Sequence, residues 1–248
     1  MHRVKSGARY NEHMTTVRQP SVPRTARERA RAEITAEILA AGRRHLATVG
    51  AAGLSLRAIA RELGMVSSAV YRYVASRDEL LTRLIIDAYN ALGESAEAAE
   101  AERDRADLSG RWAAVATAVR DWALAHPNEY ALVYGSPVPG YVAPQDTIAP
   151  ASRVSNLLVR IMSDAATSGR LLTAGGNGQA GGAALAPVRA VIPAEVPDAT
   201  VQAGLMVWSG LFGVVSFELF GQFQNVVGDR EAFFRDCVAR WAAQLGIA

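Results

Sequence analysis

The stretch LSLRAIARELGMVSSAVYRYVASRDELL, residues 54–81, decides the fold and points to the chemistry. It reads as two short helices joined by a tight turn, with a longer helix following at once. Over residues 55–63, Leu56, Ile59, Ala60 and Leu63 fall on one face at helical spacing. Gly64 stands where a helix C-terminus favours a residue free to take positive φ. After Met65 and Val66, Ser67 and Ser68 offer caps for a second helix whose apolar face is Ala69, Val70 and Val74. Its other face presents Ser67, Ser68, Tyr71, Arg72 and Tyr73, and no carboxylate. Such a face suits a DNA major groove, where an anionic side chain would be repelled by phosphate. The pattern is a helix-turn-helix.

Upstream, residues 26–49 predict a helix, with Ile34, Ile38, Leu39, Ala41, His45 and Leu46 at threes and fours and Gly50 and Gly53 ending it. His45 has no second ligand nearby and reads as a packing or surface residue rather than a metal ligand. Residues 1–25 lack periodicity and are expected to be disordered. They form either an inert leader or a basic arm, with Arg18 and Arg24, and Arg27, Arg29 and Arg31 just beyond, placed to reach phosphate or a minor groove. Downstream, Ser76 and Glu79 mark the start of a lever helix running to about residue 102, with the acidic cluster 94–107 read as a solvated helix end. Further helices are expected at 108–125, 127–134 and 149–172. Four prolines make 135–150 a loop, and Gly/Ala-rich 173–190 a second, flexible one. Helices at 199–224 and 230–245 close the chain.

The formal charge of +2 hides an asymmetry. Residues 1–80 hold 14 Lys/Arg against 7 Asp/Glu, whereas residues 81–248 hold 12 against 17. The basic end therefore holds the helix-turn-helix, as attraction to phosphate requires. The single Cys237 excludes a disulfide framework or a zinc set and reads as a small core residue. No run approaches the roughly 18 continuous apolar residues of a membrane span. No signal segment is visible, so a cytoplasmic protein with no membrane association is expected. Enzymatic function is not expected. The four histidines (2, 13, 45, 126) are scattered, no glycine-rich phosphate loop follows a strand, and no nucleophile has a neighbouring base. No cofactor and no metal are implied.

The segments SLRAIA (55–60), LGMV (63–66), VYRYV (70–74) and RDEL (77–80) resemble the TetR family of bacterial transcriptional regulators. The resemblance covers about residues 30–90. Val66 stands where that family has a capping Ser, Tyr73 replaces its His, Arg77 its Lys and Val74 its Phe. The C-terminal part resembles the subgroup with a Trp-containing (WHG-type) ligand domain, through Trp208 to Gly213 and HPNEYALVYGSPVPGY (126–141). The resemblance implies an all-α homodimer, with a four-helix interface supplied by residues 199–245 and a ligand that alters the separation of two reading heads.

The expected architecture is all-α. A basic arm (1–25) precedes a three-helix helix-turn-helix DNA-binding domain (26–75) and a helical ligand-binding and dimerisation domain (76–248). Ser67, Ser68 and Arg72 are the expected base-edge readers, an Arg most often pairing with guanine. Ser55, Tyr71, Tyr73 and Arg77 suit phosphate positioning, and Arg57 phosphate or the groove edge. Trp112, Trp122, Tyr130, Tyr134, Met162, Trp208 and Phe212 are large enough to line an apolar cavity. With few charges on those faces, a hydrophobic small effector is expected. The expected function is a ligand-responsive repressor acting as a homodimer on a near-palindromic double-stranded operator. A constitutive architectural DNA binder without an effector is the alternative.

Overall fold

The computed structural model describes residues 25–170 and 185–248, and the described residues contain helices and turns but no strand. Residues 1–24 of the expected arm (1–25) and most of the glycine-rich loop (173–190) lie outside them. In chain order the helices are α1 (Ala26–Val49), α2 (Leu56–Glu62), α3 (Ser67–Val70), α4 (Arg77–Ala101), α5 (Leu108–Ala125) and α6 (Pro127–Tyr134). There follow α7 (Ile148–Ala151), α8 (Arg153–Thr167), α9 (Ala186–Arg189), α10 (Asp198–Leu219) and α11 (Arg230–Leu245). The boundaries follow local chemistry. Thr25 opens α1 with a reciprocal capping box to Glu28, and Gly50 closes it at φ 66°. Ser76 and Asp229 accept the N3 amides of α4 and α11.

Three expected boundaries shift. The proline-rich stretch is not all loop, because a 3₁₀ turn at Gln145–Thr147 runs straight into α7. The helix expected at 149–172 is broken at Ser152 and ends at Thr167. The penultimate helix stops at Leu219 rather than 224, with Gly221 (φ 84°), just past its cap Phe220, in the left-handed conformation that ends it.

Two apolar cores stack along α4. The first joins Ile38, Ala41 and Leu46 of α1 to Ile59 of α2, then Val70 and Val74, then Leu80, Leu81 and Leu84 of α4. The core of the reading head therefore extends past residue 75 into α4. A three-helix head this small needs the first two turns of α4 to close its core. The second core gathers α5, α8, α10 and α11 around Trp112, Leu157, Ile161, Val207 and Phe234. α10 is long and apolar enough, by length and composition, to cross a membrane. It instead lies against α5, α8 and α11, and its Glu218 is buried in an ion pair.

The body core also holds charge that apolar periodicity concealed. Arg111 is fully buried, donating from Nε to Glu100 at 2.7 Å and from Nη1 to Asp164 at 2.8 Å. Glu100 is thus a buried tie between α4 and α5, correcting its reading as part of a solvated helix end. Arg120 makes a two-pronged pair with Glu218 at 2.7 and 2.8 Å, joining α5 to α10.

Candidate nucleic-acid interface

Ser55 is extended and caps α2, its Oγ accepting the Ala58 amide at 3.4 Å. The hydroxyl proton stays available to a phosphate. Gly64 takes φ 65° and turns the chain toward α3. Val66 is the N-cap of α3 and makes no side-chain capping bond. Ser67 does not take over that role, because it and Ser68 already sit within the helical turn. Both serines are exposed and neither hydroxyl has a partner among the described residues.

The helical turns carry on past α3. Tyr73 and Val74 both bond back to the Val70 carbonyl. Val70 and Val74 are fully buried on one side, while Ser67, Ser68, Tyr71 (44% exposed) and Arg72 project on the other. Arg57 of α2 is exposed as well, and neither Arg57 nor Arg72 forms an ion pair among the described residues. Unpaired guanidinium groups on an exposed turn are ready to meet phosphate or a base edge without first losing a partner.

Tyr73 and Arg77 stand apart. Tyr73 is half-buried, and the Arg31 guanidinium lies 5.3 Å from its ring centroid. Arg31 also donates to the Arg72 carbonyl at 2.9 Å. Arg31 of α1 is therefore a positioning residue for the reading turn, which its place in a run of basic residues did not disclose. Arg77 donates to the carbonyls of Ala51 and Ala52 at 2.9 and 3.2 Å, fastening the α1–α2 connection to α4. That engagement, rather than a free cation, is what the structure gives Arg77. The exposed Glu62 of α2 contacts both Arg44 and His45, the latter at 2.7 Å. The Arg44 bond first, and His45 next, hold its carboxyl below the usual range. His45 thus hydrogen-bonds Glu62, and no group of three potential metal ligands occurs among the described residues.

With this geometry in view, the family is decided by comparison with known proteins. A profile described as bacterial regulatory proteins, tetR family, matches residues 38–84, and one described as a tetracyclin repressor-like C-terminal domain matches residues 112–241. The chain belongs to the TetR family. It is 45% identical over 199 residues to the HTH-type transcriptional regulator Rv1816 of Mycobacterium tuberculosis, covering 79% of this chain and 85% of that one. HTH-type transcriptional regulator Mb1846 of Mycobacterium bovis matches to the same extent. The crystal structure of the regulatory protein SCO4313 superposes with a TM-score of 0.73 at 36% identity, over 88% of this chain and all of that one. A Rhodococcus sp. RHA1 protein (TM-score 0.63, 23% identity, 86% of this chain and 93% of that one) shares the fold. This TetR-family chain is accordingly a DNA-binding transcriptional regulator.

The seven residues expected to line an effector cavity make several separate sets of contacts. Trp112 is buried, donates its indole N–H to the Val238 carbonyl at 3.1 Å and meets Trp241 edge-on. Trp122 stacks on His126, and Met162 packs so close to Gly204 that a Cβ there would lie 2.8 Å from its sulfur. Only Tyr130, Tyr134, Phe212 and Trp208 touch one another, as a chain of rings running between α6 and α10. The Tyr130 hydroxyl bonds to Ser216 at 2.9 Å, and burial pushes its pKa up to about 12. These side chains knit helices together, and ring-sized residues at helical spacing fill contacts more readily than they frame voids. A crevice of about 590 Å³ lies elsewhere in the body, beside α4.

Proposed function

We propose that this regulator is a ligand-responsive repressor that binds a near-palindromic operator as a homodimer in the cytoplasm. The observation that carries the DNA half is the exposed, carboxylate-free face of Ser67, Ser68, Tyr71 and Arg72 over the buried Val70 and Val74. Arg72 and the two serines read base edges; Ser55, Arg57 and Tyr71 grip phosphates; Arg31, Tyr73 and Arg77 hold the turn in place. Two heads on a twofold axis address successive major grooves about 34 Å apart, or a modest multiple of that spacing.

The dimer half is supported by an apolar stripe on the last two long helices. Met206 (59% exposed) and Phe217 (51%) line one side of α10, and Phe220 (43%) just past its end and Phe233 of α11 continue it. Large side chains gathered in this way mark a surface that a partner covers. Gly213 lies within the stripe, and a Cβ there would meet nothing within 4 Å, so the backbone is open to close approach.

Arg72→Ala tests the reading. Against a fragment selected from genomic DNA by binding, it should lose about 1–3 kcal/mol of affinity and relax preference at one base pair per half-site. A uniform loss on all sequences would reassign Arg72 to phosphate. Unchanged binding would sink the direct-readout assignment.

A further inference from the structure

We infer that Val66 is a specificity-determining residue, reading the C5-methyl group of a thymine in the operator's major groove. This assignment rests on the reading face proposed above entering that groove.

Val66 is the N-cap of α3, extended at φ −67° and ψ 139°, with no side-chain capping bond. An oxygen-bearing side chain there would accept an α3 amide, and Val offers none. Nor does Val66 serve the core. Leu63 and Met65, on either side of Gly64, pack against the head's apolar cluster, whereas Val66 stands 69% exposed. The position gives up a helix cap and gains little burial in the free protein, so its side chain is spare for a partner.

The side chain is also held firmly. The Met65 amide donates to the Ala60 carbonyl at 2.8 Å, and the Val66 carbonyl accepts the Ala69 amide at 2.8 Å. The turn fixes the backbone on one side and the helix fixes it on the other. Branching at Cβ restricts χ1, so the two methyl groups favour one direction. A contact made by such a group loses little conformational freedom.

What Val66 can meet follows from where it stands. In a helix-turn-helix the N-terminal residues of the second helix approach the base edges, and Val66 precedes Ser67 and Ser68 in that approach. Phosphates and the polar base edges would lose hydration against an apolar side chain and receive nothing in return. The C5-methyl of thymine is the apolar feature of the major groove. Burying methyl against methyl takes apolar surface out of water on both partners. It also separates thymine from cytosine, which presents an amino donor and no methyl. The Ser67 and Ser68 hydroxyls, exposed and without partners among the described residues, are left for the polar edge of the same or the next base pair.

The test uses the full chain and the fragment selected from genomic DNA by binding. Each thymine of the footprint is replaced singly by deoxyuridine, which deletes the methyl and keeps the hydrogen-bonding edge. At a thymine in each half-site the parent should lose about fourfold in affinity. Val66→Ala and Val66→Ser should bind the thymine fragment about fourfold more weakly per reading head and be indifferent to deoxyuridine at that position. Val66→Ser also supplies a capping oxygen, so its Tm should equal or exceed that of the parent, which separates a lost methyl contact from lost folding. Arg72→Ala should bind more weakly yet keep the deoxyuridine penalty, because its contact is to another base. No thymine sensitive to loss of its methyl, or an undiminished penalty in both Val66 variants, overturns the inference. Unchanged binding by Arg72→Ala would remove the Arg72 assignment, while the deoxyuridine series still decides Val66.

Discussion

Replacing Gly93 by Ala should destabilise the protein, although Ala is the better helix former. Gly93 is buried in the middle of α4, where Arg153 of α8 crosses it. A Cβ at this position would lie 2.7 Å from both Cδ and Nε of Arg153 and 2.8 Å from its Cβ. The last contact involves the root of the side chain, so rotating the guanidinium alone does not relieve it. Overpacking of this kind costs about 1–3 kcal/mol. Displacing Arg153 also loosens its bonds to Asn90 and Glu97, worth about 1 kcal/mol after solvent screening, since Glu97 is 38% exposed. Against this, Gly to Ala within a helix gains about 1 kcal/mol. The overlap wins, leaving a loss of about 2 kcal/mol, or about 4–8 °C in Tm for a chain of this size. Thermal denaturation at one fixed protein concentration measures it. The decisive control is Arg153→Gly, which removes the whole obstacle, Cβ included. In that background Gly93→Ala should stabilise by about 1 kcal/mol, because only the helix preference remains. The reasoning fails if Gly93→Ala costs the same with and without the Arg153 side chain.

Three further outcomes follow from buried polar groups and the open helix face. Glu218→Gln strips the countercharge from Arg120, which is 12% exposed, and should cost about 3–5 kcal/mol; Arg120→Met with Glu218→Leu should recover most of it in urea denaturation. The Tyr130 pKa is raised from 10.0 to about 12 by burial, so its contribution is complete below pH 10 and falls away as pH rises towards 12. About 3 kcal/mol should be lost over that range, and a Tyr130→Phe variant should show a correspondingly flatter alkaline unfolding curve. Gly213→Arg should leave helix content intact, because its side chain meets open space in one protomer, yet lower the sedimentation mass from dimer to monomer. A Gly213→Arg protein that remains dimeric would move the interface off this stripe.

Much of the fold was legible because helix ends are written in single residues. Ser55, Ser76 and Asp229 cap as their types require, and Gly50 and Gly64 take the positive φ that ends a helix. What stayed hidden depends on contacts between distant segments. The Arg31 bond to the Arg72 carbonyl spans 41 positions and the Thr82–Tyr141 bond spans 59. Neither leaves a trace in local periodicity, so Arg31 read as one basic residue among several and Tyr141 as part of a loop.

The scattering of the seven large apolar residues has the same physical origin. Size and apolarity single out residues such as Trp112, Tyr130 and Phe212, but those properties describe what packs well. A vacancy arises where the chain is prevented from packing. Between Ser136 and Pro150, four prolines remove amide donors and fix φ, so this stretch cannot continue α6 and lay a full helical face on α4. Only short helical turns form at its far end, and the space left beneath is the crevice walled by Ile85 and Tyr89. The prolines that mark the segment as a loop are thus also the reason a cavity lies beside the lever.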